Sequence, residues 1–225
     1  MAGGQGTRLR PLTEKIPKPL LKVGDKSIID INLDRLISYG INNFYISILY
    51  LGDQIENHLI NRKLRKIKID FLREKKPLGT IGAASMIKDF SNDYVLVTNS
   101  DILTLLDYED FFSEFLKSGA DMSVVGIPYE IKIPYAVMKI ENNFVKEFVE
   151  KPNYIYYSNG GIYLLKKEIL LNIPKNQFYN ATDLMNSIIE NGGKLHTYPL
   201  KEYWLDIGKH DDYLKANGDI KHLKL

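Results

Sequence analysis

The chain has 225 residues, 44% of them hydrophobic and 26% charged, with thirty basic against 28 acidic side chains and no cysteine. This is an ordinary globular composition, long enough for one large domain and short for two. The near-neutral balance of +2 argues against a polyanion-coating surface, and the lack of thiols excludes a disulfide scaffold, a thiolate metal site and a cysteine nucleophile.

No apolar run approaches the ~18 residues that span a bilayer. The opening Met1-Ala2-Gly3-Gly4-Gln5-Gly6 lacks the apolar core of a signal peptide. The expectation is a cytoplasmic protein with neither membrane nor nucleic-acid partners.

Ser27 to Tyr39 carries apolar residues at helical spacing, and Gly40 follows as a terminator. Phe44 to Leu49 reads as a buried strand, Gly52 to Ile60 as a short helix and Ile67 to Leu72 as a strand. Gly79 to Lys88 is small and helical in pattern, and Tyr94 to Thr98 is strongly β-prone. Tyr108 to Ser118 reads as a helix and Asp121 to Ile127 as a strand. This alternation predicts an α/β fold: a Rossmann-like, doubly wound, mostly parallel sheet with helices on both faces.

Shorter segments follow at Tyr135 to Ile140, Phe144 to Glu150 and Gly160 to Leu165. A helix at Thr182 to Glu190, a strand at Leu195 to Leu200, the Tyr203-Trp204-Leu205-Asp206 run and a helix from Asp211 complete the chain. One domain over 1–225 is expected. Residues 1–130 would form a nucleotide-binding half and 131–225 a substrate-binding elaboration of the same sheet.

Gly3-Gly4-Gln5-Gly6-Thr7-Arg8 is followed by Pro17-Lys18-Pro19. Glycines let backbone N–H groups approach a phosphate without a Cβ in the way. Arg8 and Lys18 would add charge-assisted contacts to phosphate oxygens. The spacing fits neither the Walker nor the dinucleotide-binding fingerprint.

The run from Gly3 to Thr13 leading into Pro17-Lys18-Pro19-Leu20-Leu21 resembles the signature of the sugar-1-phosphate nucleotidylyltransferases. Pro77-Leu78-Gly79-Thr80, Glu150-Lys151-Pro152, Asn159-Gly160-Gly161-Ile162-Tyr163 and Trp204-Leu205-Asp206-Ile207-Gly208 match the same family in order. The resemblance covers essentially the whole chain and is nearest to the guanylyltransferase-like branch. It implies the nucleotide-diphospho-sugar transferase fold and an NTP, with GTP favoured, as one substrate. It further implies a sugar 1-phosphate as the other, pyrophosphate as the second product, a role in bacterial surface glycans and frequent homo-oligomers. CTP and UTP stay open as the nucleotide, and mannose, heptose or hexosamine as the sugar. Family members carry a short apolar strand before the glycine loop. Here the chain begins inside the loop, so the expectation is that a central strand is missing and that restoring it raises stability and activity.

Asp101 ends the most β-prone run, and ligands of open α/β sheets bind at the carboxyl ends of strands. Asp206 closes a second short β-like run that could return to that edge. Two carboxylates plus triphosphate oxygens make a Mg²⁺ environment. The family usually has glycine where Ser100 stands.

By resemblance, Arg8, Lys18, Asp101 and Asp206 form the catalytic set, and the two aspartates hold the metal. Gly3, Gly4, Gly6, Thr7, Glu74 and Gly79 would bind nucleotide. Tyr135, Glu150, Lys151, Asn159 and Gly160 would bind the sugar phosphate, Glu150 gripping hydroxyls and Lys151 the phosphate. Ala136 replaces the family's glycine in Tyr135-Ala136-Val137 and leaves the sugar open.

Two rivals remain. One is a catalytically inactive nucleotide-sensing subunit. The other is a glycosyltransferase of related topology, which would want a D-x-D motif where this chain has Asn99-Ser100-Asp101. The basic run Arg62 to Lys68 reads as a solvated loop between helix and strand, the aromatic Tyr154-Ile155-Tyr156-Tyr157 as a packed strand or oligomer contact, and the four scattered histidines as structural or solvent-facing.

Overall fold

Ser27 sets the first regular helix. Its side chain accepts a hydrogen bond from the Asp30 amide, relieving one of the orphan donors of the first turn. Helix α1 (Ile28–Ser38) then runs to a turn at Gly40, whose φ of 82° suits a residue without a Cβ. The computed structural model describes residues 1–223. Before α1 lie the glycine loop, two 3-10 turns (Thr7–Leu9 and Lys18–Leu20) and a two-rung hairpin of β1 (Lys22–Val23) and β2 (Lys26–Ser27).

Strand β3 (Asn43–Ile48), helix α2 (Gly52–Asn61) and strand β4 (Lys68–Arg73) follow, and β3 and β4 pair in parallel with Phe44 opposite Ile69. Next come β5 (Tyr94–Thr98), β6 (Ile102–Thr104), α3 (Tyr108–Ser118) and β7 (Met122–Lys132). The hairpin β8 (Val137–Glu141) and β9 (Phe144–Val149) leads into the long β10 (Asn153–Lys166). The chain closes with α4 (Lys167–Leu171), α5 (Ala181–Glu190), β11 (Leu195–Pro199), β12 (Trp204–Asp206) and α6 (His210–Asp219).

The main sheet has the order β11-β7-β10-β5, with β11 parallel to β7 and β10 antiparallel to both neighbours. Met1 and Ala2 bridge β5 to β3: the Met1 amine donates to Thr98 O at 2.7 Å, Ser100 N donates to Met1 O at 3.1 Å, and Ala2 N donates to Ser47 O at 3.0 Å. These bonds follow the parallel pattern. Strands β4, β3, β5, β7 and β11 therefore run one way and β10 alone runs the other.

Helices cover both faces. On one, Ile29 and Leu33 of α1 and Phe111 and Phe115 of α3 pack with Phe44 and Ile46. On the other, Leu170 of α4 and Leu184 and Ile188 of α5 pack with Val95 and Val97. A third cluster joins Leu9 and Leu21 to Leu103, Leu205 and Ile207. It ties the glycine loop to the β6–β12 pair.

The doubly wound, mostly parallel α/β fold expected from the alternation is the one observed. Three elements differ in detail. Gly79 to Lys88 is not an α-helix; only a 3-10 segment, Gly82–Met86, forms there. Gly79 is left-handed at a φ of 77° and Ile87 is extended at a ψ of 126°, so helical backbone fits only between them; Ile81 N and Gly82 N, first-turn amides with no intrahelical partner, donate to Tyr179 O at 3.2 and 3.1 Å. The expected strands at 121–127 and 160–165 are the buried ends of β7 and β10, whose other halves extend, exposed, beyond the core. The basic run after α2 is tied down by Arg62, which pairs with Asp30 at 3.0 Å and with Asp34.

Candidate active site

The last residues of β5 lead into the turn Asn99-Ser100-Asp101, then into β6. That turn is held from two sides: Ser100 N donates to Met1 O, and the Asn32 side chain on α1 donates to Ser100 O at 3.1 Å. Strand β12 pairs antiparallel with β6, setting Asp206 opposite Ile102, and Ile207 N donates to Asp101 O at 3.0 Å. Two carboxylates distant in sequence are thereby set side by side at the carboxyl edge of the sheet.

The Lys18 ammonium lies against them. It donates to Asp101 Oδ2 and stands 3.9 Å from Asp206 Oδ1, and its side chain is only 12% exposed. Pro17 and Pro19 fix the 3-10 turn that aims it there. Asp101 Oδ1 and Asp206 Oδ1 are both buried and accept no hydrogen bond. Burial, then the neighbouring Asp101 charge, pushes the Asp206 carboxyl above its ordinary value, with Lys18 and Arg8 opposing. Two orphan carboxylate oxygens around one cation are a donor set that suits a hard divalent ion, with water and phosphate oxygens completing its shell. No group of three or more His, Cys, Asp or Glu that could hold a metal gathers among the described residues, here or elsewhere.

The glycine loop borders this centre. Gly6 has a φ of 62°, its carbonyl accepts from the Thr13 hydroxyl at 2.7 Å, and a Cβ there would lie 3.0 Å from Thr13 Cγ2. Gly4 faces open space, and Thr7 and Arg8 are exposed. The Arg8 guanidinium approaches Gly208, two residues past Asp206, with both terminal nitrogens 3.5 Å from where a Cβ would stand. Glu74 is buried beside Gly3, accepts from Leu78 N at 2.9 Å, and has its carboxyl pushed up by burial. Gly79 closes that turn at a φ of 77°, and a Cβ on it would strike Tyr179 O at 2.5 Å.

A hollow of about 190 Å³ adjoins Asp206, lined also by Asn99, Asn159, Gly160, Tyr163 and Trp204 among others. Asn159 Oδ1 accepts from Gly161 N at 2.9 Å, and the Trp204 indole donates to Gly160 O at 2.9 Å. Asn159 and Gly160 therefore converge on the site. Tyr135, Glu150 and Lys151 do not: they lie on the exposed arms, with Tyr135 75% exposed and Lys151 Nζ 4.0 Å from Glu150 Oε1. Sequence reasoning missed Asn99, Tyr163 and Trp204 as lining residues. Their signal was adjacency to Asp101, Asn159 and Asp206.

Residues 1–222 match the family model described as nucleotidyl transferase, and the chain belongs to that family. Among its relatives, mannose-1-phosphate guanylyltransferase catalytic subunit beta of Xenopus tropicalis is 29% identical over 95% of this chain. The mannose-1-phosphate guanyltransferase of Schizosaccharomyces pombe is 30% identical over the same share. The chain spans about 61% of the length of these curated relatives. Crystal structures of HddC from Yersinia pseudotuberculosis, one of them complexed with GMP-PN, superpose with a TM-score of 0.74 at 29% identity, covering 97% of this chain and 96% of theirs. A glucose-1-phosphate thymidylyltransferase assigned as putative in Bacillus anthracis shares the fold, with a TM-score of 0.76 over 100% of this chain.

Proposed function

We propose that the chain is a sugar-1-phosphate nucleotidylyltransferase, joining GTP to a sugar 1-phosphate to give a GDP-sugar and pyrophosphate. The observation that carries this reading is the pair Asp101 and Asp206 around Lys18, each with a buried orphan oxygen. The guanylyltransferase relatives and the HddC complex with GMP-PN support guanine as the base.

A phosphate oxygen of the sugar 1-phosphate attacks the α-phosphorus, and the bond from that phosphorus to the pyrophosphate oxygen breaks in line. No protein nucleophile is needed, since the attacking phosphate is already anionic at neutral pH. Catalysis is then positioning and charge neutralisation.

Gly3, Gly4, Gly6 and Thr7 cradle the phosphates, with Glu74 and Gly79 towards the base. Arg8 steadies the departing pyrophosphate, and Lys18 bridges the reacting phosphates. Asn159 and Gly160 hold the sugar. Glu150, Lys151 and Tyr135 reach it only if the exposed arms fold over a bound substrate. Asp101 and Asp206 would hold Mg²⁺, which supplies charge neutralisation to the phosphates when bound.

No helix among the described residues is long and apolar enough to cross a membrane, and both substrates are small and water-soluble, which fits a cytoplasmic enzyme. The exposed aromatic side chains Tyr129, Phe144, Phe148 and Tyr156 on the arms fit a homo-oligomer, and light scattering in solution should return a mass above that of one chain. The reaction is tested by pyrophosphate release in Mg²⁺ across four NTPs and a panel of sugar 1-phosphates, with Asp101→Asn as the blank. Nucleotide binding without turnover would favour the sensing subunit instead.

A further inference from the structure

Two stretches a hundred residues apart in sequence are joined edge to edge. One is the turn Leu78 to Gly82, which carries Gly79. The other runs from Gln177 to Ala181, closing the segment after α4 and opening α5. Tyr179 N donates to Leu78 O at 2.9 Å, and Tyr179 O accepts from Ile81 N and Gly82 N at 3.2 and 3.1 Å. The side chains cross as well: Asn180 Oδ1 accepts from Thr80 N at 3.3 Å, and the Thr80 hydroxyl accepts from Ala181 N at 2.8 Å.

An Asn in front of a helix ordinarily turns its side chain onto the amides of that helix's own first turn. Asn180 reaches across to Thr80 N, and the first amide of α5 is met by Thr80 in return. The Asp183 carboxylate accepts from Asn180 N at 2.8 Å, so α5 itself fixes the Asn180 main chain. Close packing completes the joint. A Cβ on Gly79 would lie 2.5 Å from Tyr179 O, and one on Gly82 would lie 2.8 Å from Gln177 O. Both contacts are with main chain, which cannot swing aside, so the two stretches approach this closely only because the turn carries glycine there.

The joint uses up the turn's amides selectively. Leu78 N donates to the Glu74 carboxylate at 2.9 Å, Thr80 N to Asn180, and Ile81 N and Gly82 N to Tyr179. Gly79 N alone in this turn has no acceptor among the described residues. It stands at a φ of 77° between neighbours that are pinned on both sides. A donor fixed in this way loses little freedom when a ligand engages it. Its direction is set by the stretch behind it.

We propose that Gln177 to Ala181 is the backing wall of the base site, and that Asn180 is a positioning residue for base recognition. By holding Thr80 N, Asn180 fixes the direction of Gly79 N and, through Leu78 N, the Glu74 carboxylate. The discrimination between bases is thereby set from the N-terminus of α5, in the half of the chain expected to bind sugar. This inference rests on the reading of Glu74 and Gly79 as lying towards the base. Contacts to the phosphates, which fall to the glycine loop, do not depend on it.

The test reads binding by titration calorimetry in Mg²⁺, with GTP, ATP and inorganic tripolyphosphate as probes. Tripolyphosphate has the phosphates and no base. The wild-type chain should bind GTP more tightly than ATP. Asn180→Ala should weaken GTP binding by roughly three- to tenfold, the worth of about one hydrogen bond, and leave tripolyphosphate within about twofold. The preference for GTP over ATP should shrink with it. Asn180→Asp keeps an acceptor for Thr80 N and should restore most of the GTP affinity. Asp107→Ala removes a cap from α3 instead and should alter no affinity, which separates lost stability from lost positioning. GTP binding by Asn180→Ala within about twofold of wild type, or an equal loss for tripolyphosphate, would overturn the inference alone. A wild-type chain that binds tripolyphosphate as tightly as GTP would overturn the base reading and the inference with it.

Discussion

Asp101 and Asp206 carry the chemistry in this account, and substitution separates that role from a structural one. Asp101 Oδ1 accepts no hydrogen bond, so Asp101→Asn removes charge without breaking a network beyond the contact to Lys18. Turnover should fall on the order of 10²–10³-fold, while the thermal midpoint moves by only a few degrees. Near wild-type turnover would refute the assignment. Lys18→Ala should likewise lower kcat more than it raises KM for nucleotide, because its charge matters most as the phosphates react. Gly161 tests geometry instead: its φ is 70°, and a Cβ would lie 2.6 Å from Asn99 Nδ2. Gly161→Ala should cost about 1–3 kcal/mol, read by urea titration, and narrow the hollow beside Asp206. The glycine loop, Lys18 and Asp101 were legible in the sequence because their chemistry is bound to residue type and spacing. Trp204 was less so. Its indole donates to Gly160 O, 44 residues away in sequence, and no local pattern announces such a bond.

Among the elements, those whose signal is local were read to within a residue or two. Helix α3 is the clearest case: Asp107 accepts from the amides of Glu109 and Asp110, and Gly119 follows at a φ of 61°. Asp107→Ala should cost about 1 kcal/mol. Phe115→Ala, at a fully buried position, should cost about 3–5 kcal/mol, and denaturant melts would rank the two. Gly79 to Lys88 failed as a helix because Gly79 is left-handed and Ile87 extended where the segment packs on Tyr179, and small-residue propensity is too weak to oppose that. The lengths of β7 and β10 were also hidden. Their outer halves are stabilised by pairing with each other, as between Tyr156 and Tyr129, and carry no buried face to show as periodicity. At their inner ends, Asp121 accepts from Lys166 Nζ at 2.8 Å and Lys194 N at 2.9 Å, and Lys166 leads the causes that hold its carboxyl below the ordinary value. A depressed carboxylate stabilises the fold above its unfolded pKa, and that share is lost as pH falls through the folded one. The pair is only partly buried, so Asp121→Asn should flatten the acid limb of a stability–pH curve by no more than about 1 kcal/mol.

For the whole molecule, the alternation of strands and helices sufficed to give the class of fold, because a parallel sheet needs a crossover for each strand. It could not show that β10 runs against its neighbours, nor that Asp206 returns to Asp101 through the β6–β12 pair. Both follow from long-range pairing. The family match over residues 1–222 and the superposition on HddC agree with that architecture. The central claim is nucleotidylyl transfer at the edge where Lys18, Asp101 and Asp206 meet, and its most direct test is pyrophosphate release from GTP with mannose 1-phosphate and related sugar 1-phosphates in Mg²⁺. The account predicts release with at least one such sugar, strongest with GTP among the four nucleotides and cut on the order of 10²–10³-fold by Asp101→Asn. Bound nucleotide with no pyrophosphate released from any pair would contradict it.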